Sequence, residues 1–269
     1  MTRIGQLFDR LRASGDRALI AYLTAGDPSP AATPALVEAL EAGGADLIEL
    51  GVPFSDPIAD GPVIQRASER ALRAGVSLRT VLDLVLQIRR RSQIPLVIFS
   101  YLNPIVRYGF SKFAADFAAA GADGALLTDL SVEEAGPFVA EMRKQNLDTV
   151  FLAAPTSTER RLALVAQYST GFVYLVSRTG VTGEQSALSS QVAPLIQRMR
   201  AVASLPLAVG FGISRPEHLA ELAPLADGVV VGSAFMRLIG EHGKDPALPE
   251  RLRRYTADLK AGFRPVEVK

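Results

Sequence analysis

The sequence contains no cysteine. That absence removes disulfides, thiolate nucleophiles and zinc–sulfur centres. Histidine is nearly as scarce. His218 and His242 are the only two, neither closes an apolar run, and they are not spaced as metal ligands, so surface or capping roles and no metal site are expected. Long hydrophobic runs are missing as well. The opening Met1-Thr2-Arg3-Ile4-Gly5-Gln6-Leu7-Phe8 is neither a secretory leader nor a membrane span, and reads as a short amphipathic helix. Charge of one sign is also lacking: the net charge of +1 argues against nucleic acid or a membrane surface as a partner. The one basic run, Arg89-Arg90-Arg91, follows the apolar stripe of a helix and reads as a solvated last turn favoured by the helix dipole. A cytoplasmic protein is expected.

What is present is a regular alternation. Short runs rich in Val, Ile and Leu lie at residues 18–23, 47–51, 96–101, 125–130, 149–153, 172–176, 207–209 and 229–231. Such near-continuous apolar runs are what a parallel strand buried on both faces requires. Between them, apolar residues recur three or four apart, as in Leu78, Val81, Leu82, Val85. A junction also recurs: Ala42-Gly43-Gly44-Ala45-Asp46, Ala120-Gly121-Ala122-Asp123 and Ala226-Asp227-Gly228 each end a helix and open a strand, with glycine suited to a left-handed helix end. A doubly wound open sheet would carry a Gly-rich turn after its first strand. Thr24-Ala25-Gly26-Asp27-Pro28 matches that poorly. The pattern predicts one domain over residues 1–269, a closed (β/α)8 TIM barrel, with extra helices at the N-terminus and at a phosphate site.

Three post-strand connections fall at the face where such barrels build their sites: residues 53–62, 178–186 and 210–214. Glu49 sits inside Leu47-Ile48-Glu49-Leu50-Gly51. A carboxylate within a buried strand is costly unless paired, protonated or useful, and burial would raise its pKa toward the range of a general acid or base. The alternative is a structural ion pair, but the strands as read supply no Lys or Arg. Asp60, just before Gly61-Pro62, reads either as a helix cap or as a second active carboxylate. Gly210-Phe211-Gly212 and Gly232-Ser233 close the seventh and eighth strands. Glycine there lets backbone N–H groups approach an anion, so a phosphate site is expected where these ends meet.

Read together, these stretches resemble the tryptophan synthase alpha subunit family over residues 4–238, nearly the whole chain. The resemblance is carried by Leu47-Ile48-Glu49-Leu50-Gly51-Val52-Pro53-Phe54-Ser55-Asp56-Pro57, continued by Ala59-Asp60-Gly61-Pro62-Val63-Ile64-Gln65. Gly171-Phe172-Val173-Tyr174, Gly180-Val181-Thr182-Gly183 and Val209-Gly210-Phe211-Gly212-Ile213-Ser214 add to it. It implies a lyase that splits indole-3-glycerol phosphate into indole and glyceraldehyde 3-phosphate by a retro-aldol step. By position Glu49 matches the family's general acid/base and Asp60 its second carboxylate. Tyr22, Phe99, Tyr101, Leu126 and Phe211 match indole-pocket walls, Tyr174 a tyrosine beside the first carboxylate, and Thr182 a residue of the sixth loop that helps close the site. Gly183, Gly212, Gly232 and Ser233 match the phosphate cradle. The chain departs from the pattern at Tyr22, where phenylalanine is frequent, and at Thr128 and Ser131, where prolines are usual.

The resemblance further implies a beta subunit partner that receives the indole, an alpha-beta-beta-alpha heterotetramer, and contact through residues 53–60. No cofactor is expected in this chain, pyridoxal phosphate belonging to the partner. Two other readings stand at this point: a different phosphate-binding barrel, such as a sugar-phosphate isomerase, and a non-catalytic subunit that keeps the fold to activate a partner.

Overall fold

In the computed structural model the described residues are 1–176, 190–210 and 212–263. The strands are β1 (Ala18–Thr24), β2 (Leu47–Gly51), β3 (Leu96–Ser100), β4 (Gly124–Leu127), β5 (Asp148–Ala153), β6 (Val173–Val176), β7 (Leu207–Gly210) and β8 (Gly228–Val231). They pair in chain order, all in parallel, and β8 closes on β1. The helices are α1 (Arg3–Ser14), α2 (Thr33–Ala42), α3 (Pro62–Arg73), α4 (Leu78–Arg89), α5 (Leu102–Tyr108), α6 (Phe110–Ala120), α7 (Gly136–Lys144), α8 (Glu159–Tyr168), α9 (Val192–Arg200), α10 (Pro216–Leu222), α11 (Ser233–His242) and α12 (Leu248–Ala261). The chain is thus a TIM barrel. Among the described residues no helix is long and apolar enough to cross a membrane.

The period of two along each strand divides the core. Residues facing outward, such as Ile48, Leu50, Ile98 and Val209, pack under the helices. Those facing inward, including Ile20, Leu47, Val97, Leu126, Val150 and Val230, fill the barrel. The amphipathic start of the chain forms α1, capped by Thr2, whose hydroxyl accepts from Gly5 N–H at 3.2 Å. Its Ile4, Leu7, Phe8 and Leu11 join the inner set and plug the N-terminal end of the barrel, with Phe8 against Phe172 at 5.8 Å between rings.

The recurring junction does more than turn the chain. Asp46, Asp123 and Asp227 each accept an N–H at the start of a neighbouring strand, from Leu19, Leu96 and Leu207 at 2.8, 2.8 and 2.7 Å. Each also pairs with a cation: Lys260, Arg89 and Arg200, at 2.6, 2.6 and 2.5 Å. Gly121 ends α6 at φ 95° in the left-handed region, as the pattern predicts. Gly228 instead is the first residue of β8.

Three expectations need correction. Arg89 is not a solvated last-turn residue. Its side chain is 9% exposed and, besides Asp123, it donates to the carbonyls of Gly121 and Ile94 at 2.6 Å each. Arg90 and Arg91 do face solvent. His218 is buried, not on the surface: its Nδ1 accepts from Ser214 N–H at 3.3 Å, tying the segment after β7 to α10. The apolar runs at 96–101 and 125–130 overshoot their strands, because Tyr101 is already the cap position of α5 and residues 128–129 form a turn.

Candidate active site

The inward positions nearest the C-terminal ends of the strands are where the barrel stops being filled. On β1 and β2, Tyr22 lies opposite Glu49 in the register. Glu49 faces inward because Leu47 does, two residues earlier, while Ile48 and Leu50 point to the helices. It is 1% exposed, and its Oε1 has no hydrogen-bond partner. Burial alone pushes its pKa up to about 8, so the carboxyl is held protonated at neutral pH. Among the described residues no cation pairs with Glu49, as a structural role would have required.

Asp60 comes from the loop after β2 and is also buried. Its own N–H donates to Pro57 O at 3.0 Å and its carbonyl accepts from Gln65 Nε2 at 2.7 Å, which fixes the loop's end. The cap position of α3 is Gly61, followed by Pro62, with no side-chain cap bond. The Asp60 carboxylate is therefore not the helix cap. Burial raises its pKa to about 6, and the nearby Tyr101 hydroxyl draws it partly back. That hydroxyl accepts from Ala59 N–H at 3.0 Å, and the Tyr101 ring stacks on Phe54 at 5.1 Å.

Two tyrosines close the sides. Tyr174 on β6 and Tyr22 on β1 are each about 5% exposed. Burial pushes both phenols up, and the charges of Asp60 and Glu49 push the same way. Both hydroxyls occupy space that a bare glycine leaves open. A Cβ on Gly210 would lie 2.0 Å from the Tyr174 oxygen, and one on Gly51 would lie 2.3 Å from that of Tyr22. The Tyr22 hydroxyl also meets Thr24 Oγ1 at 3.3 Å, and its ring packs edge-on against Phe99 at 5.1 Å.

Glu49, Asp60, Tyr22, Phe99 and Tyr174 border one cavity. Gly212, Gly232 and Ser233 line it as well. Gly212 is left-handed at φ 79°, a conformation a larger residue would strain to adopt. Gly232 is the cap position of α11 and Ser233 its first residue, with no acidic side chain in the first turn. Free N–H groups and the positive end of a helix therefore open onto the cavity, the arrangement that binds an anion.

Three cavity residues, Ile64, Ile213 and Val230, are absent from the sequence-based set. Their apolar character is shared with the core, so nothing in the sequence distinguishes them. Leu126 lies in the filled inner layer without lining the cavity, and Tyr101 stands behind Asp60. Phe211, Thr182 and Gly183 fall outside the described residues. Among the described residues no group of three His, Cys, Asp or Glu side chains is placed to hold a metal ion.

Known proteins share this architecture along its whole length. The profile of the family described as tryptophan synthase alpha chain matches residues 8–262. The tryptophan synthase alpha chain of Solibacter usitatus (strain Ellin6076) is 66% identical over 263 residues, covering 98% of each chain. That of Geotalea uraniireducens (strain Rf4) is 48% identical, covering 99% of each. Among solved structures, tryptophan synthase subunit alpha from Legionella pneumophila str. Paris superposes with a TM-score of 0.90 at 37% identity, covering 98% of each chain. A structure of Mycobacterium tuberculosis tryptophan synthase gives 0.90 at 43% identity with the same coverage.

Proposed function

Since the chain belongs to the tryptophan synthase alpha chain family and is a lyase that cleaves indole-3-glycerol phosphate, we propose that Glu49 and Asp60 divide the cleavage between them. One observation carries this: two buried carboxyls on a single cavity, one held to about 8 and the other to about 6, with the start of α11 on the same cavity. At neutral pH that pair rests as protonated Glu49 and ionised Asp60. The Glu49 acid delivers its proton to indole C3. Positive charge then develops at the ring nitrogen, where the Asp60 carboxylate accepts the N–H hydrogen bond and stabilises it. The Glu49 carboxylate takes the proton of the hydroxyl on the carbon attached to C3. The bond between that carbon and C3 breaks, its electron pair restores the aromatic ring, and the carbon leaves as the aldehyde of glyceraldehyde 3-phosphate. Glu49 ends protonated, as it began.

The substrate lies with its ring between Tyr22, Phe99 and Tyr174 and its phosphate at Gly212, Gly232 and Ser233. Phe211, Thr182 and Gly183 complete the wall, the closing loop and the cradle. The beta chain is the partner that takes up the indole, in an alpha-beta-beta-alpha assembly, and pyridoxal phosphate belongs to that partner, this chain holding no cofactor. Residues 53–60 form the contact. In support, Ile58 there is 77% exposed beside the half-exposed Pro57, an apolar tip of the kind that marks binding surfaces.

The test is the pH dependence of indole release. Activity requires Asp60 ionised and Glu49 protonated, so kcat/KM should rise through about 6 and fall through about 8, apparent values that belong to the pair. Asp60→Asn should lose the acid limb and keep the alkaline one. An acid limb that survives in Asp60→Asn, or a flat wild-type profile, would overturn the assignment.

A further inference from the structure

Outside the cavity wall, one buried charge is paired with unusual care. Asp27, in the loop after β1, is fully buried, and Arg70 of α3 meets it with both arms: Nε to Oδ1 at 2.7 Å and Nη2 to Oδ2 at 2.8 Å. A bidentate guanidinium is fixed in orientation as well as position. It also lies against a third element. A Cβ on Gly240 of α11 would stand 3.1 Å from Arg70 Nη2 and 3.5 Å from its Cζ. Glycine within a helix is destabilising relative to alanine, and Gly240 sits inside α11. Its lack of a side chain is what admits the guanidinium. Further along, a Cβ at Gly243 would meet Pro28 Cβ at 2.9 Å, so α11 leans on the Asp27-Pro28 loop too.

The three elements joined here are not arbitrary. The loop of Asp27 continues the strand that carries Tyr22, α3 begins immediately after Asp60, and α11 begins at Ser233. Helix α11 packs on both α3 and β1. Arg70 and Gly240 lie about two turns, on the order of 11 Å, below the starts of their helices. Both helix starts border the cavity, and in the assignment above they hold its indole end and its phosphate end.

We propose that Arg70, anchored by Asp27 and seated on Gly240, is a positioning residue that sets the spacing between the indole end and the phosphate end of the site. This rests on the assignment of those ends given above. Each half-site is built by its own helix start and survives a small shift between helices. A substrate that spans both does not, because joined groups gain from each other only when their separation matches that of the sites.

The experiment compares one spanning ligand with its two fragments. Indole-3-propyl phosphate, which lacks the reactive hydroxyls, binds both ends, while indole and glycerol phosphate each bind one. Arg70→Lys keeps the charge but loses the two-armed geometry, and should weaken the spanning ligand roughly tenfold while leaving each fragment within about twofold. Gly240→Ala should shift spanning affinity the same way by several-fold, yet leave thermal stability equal or higher, because alanine suits a helix interior better. A merely structural ion pair would lower stability and leave the ratio of spanning to fragment affinity unmoved. Equal weakening of all three ligands, or no change in any, would overturn the proposal. If glycerol phosphate fails to bind the wild-type chain, the anion end itself is misassigned and the proposal falls with it, an outcome distinct from the other two.

Discussion

Asp27 apart, which Arg70 pairs, the two ends of this barrel treat buried and half-buried carboxylates in opposite ways. At the N-terminal end Asp46, Asp123 and Asp227 each receive a strand N–H and a cation. At the C-terminal end Glu49 has an oxygen with no partner, and among the described residues Asp60 has neither a cation nor a helix to cap. Removal from water costs a carboxylate free energy at either end. At one end bonds offset the cost and the group holds strands in place. At the other the cost remains and appears as a raised proton affinity, which is what acid–base chemistry near neutral pH requires. Compensation, more than burial, separates an acid that maintains the fold from one that can act.

Breaking the contrast at the mouth should have the largest effect. Glu49→Gln is expected to lower kcat on the order of 10²–10⁴-fold, with substrate still binding by equilibrium titration. The same change should stabilise the fold. A carboxyl whose pKa rises from 4.5 in the unfolded chain to about 8 in the folded one takes up a proton on folding. Its stability contribution is therefore complete below about 4.5 and lost as pH climbs through about 8. The glutamine variant should accordingly gain several kcal/mol over wild type above pH ~8, at about 1.4 kcal/mol per pKa unit, and little near pH ~4. Denaturant midpoints at the two pH values would show it, and a variant less stable at high pH would mean that Glu49 is compensated after all.

At the base the sign reverses. Arg89→Ala takes from Asp123 its buried cation, leaving only the more exposed Arg3 and the Leu96 N–H, and should cost up to roughly 3 kcal/mol, the low end of the penalty for breaking a buried pair. The molecules that remain folded should keep wild-type kcat. A large drop in kcat at full native signal would show that the two ends are not separate. The smallest effect is expected from Lys260→Met. Lys260 and Asp46 are 24% and 15% exposed, and solvent-screened pairs contribute about 0–1 kcal/mol. Urea midpoints that rank Lys260 above Arg89 would remove burial as the measure of what these pairs are worth.

The eight strands were legible because burial on both faces leaves a continuous apolar run, a one-dimensional signal. Glu49 was legible for the same reason, as a charge inside such a run. Residues whose role depends on a partner far along the chain were not. Arg89 looks like its neighbours Arg90 and Arg91, and only the approach of the 121–123 turn distinguishes it. His218 is buried by packing of the segment after β7. Asp60 was readable as cap or acid until Gly61 proved to hold the cap position. Tyr101 carries its resemblance to a pocket wall in its ring, while its hydroxyl reaches Ala59 N–H, a contact no local pattern encodes.

The tyrosines around the cavity have an optical consequence. The chain has six tyrosines and no tryptophan, and Tyr22, Tyr101 and Tyr174 all stand at or directly behind the cavity wall. The protein alone therefore emits only as tyrosine. An indole entering the site becomes the sole indole fluorophore in the molecule, ringed by donors whose emission overlaps its absorption. Excitation of tyrosine followed by emission at indole wavelengths reports occupancy without a label, and the free product, far from those donors, falls silent in that channel as it leaves.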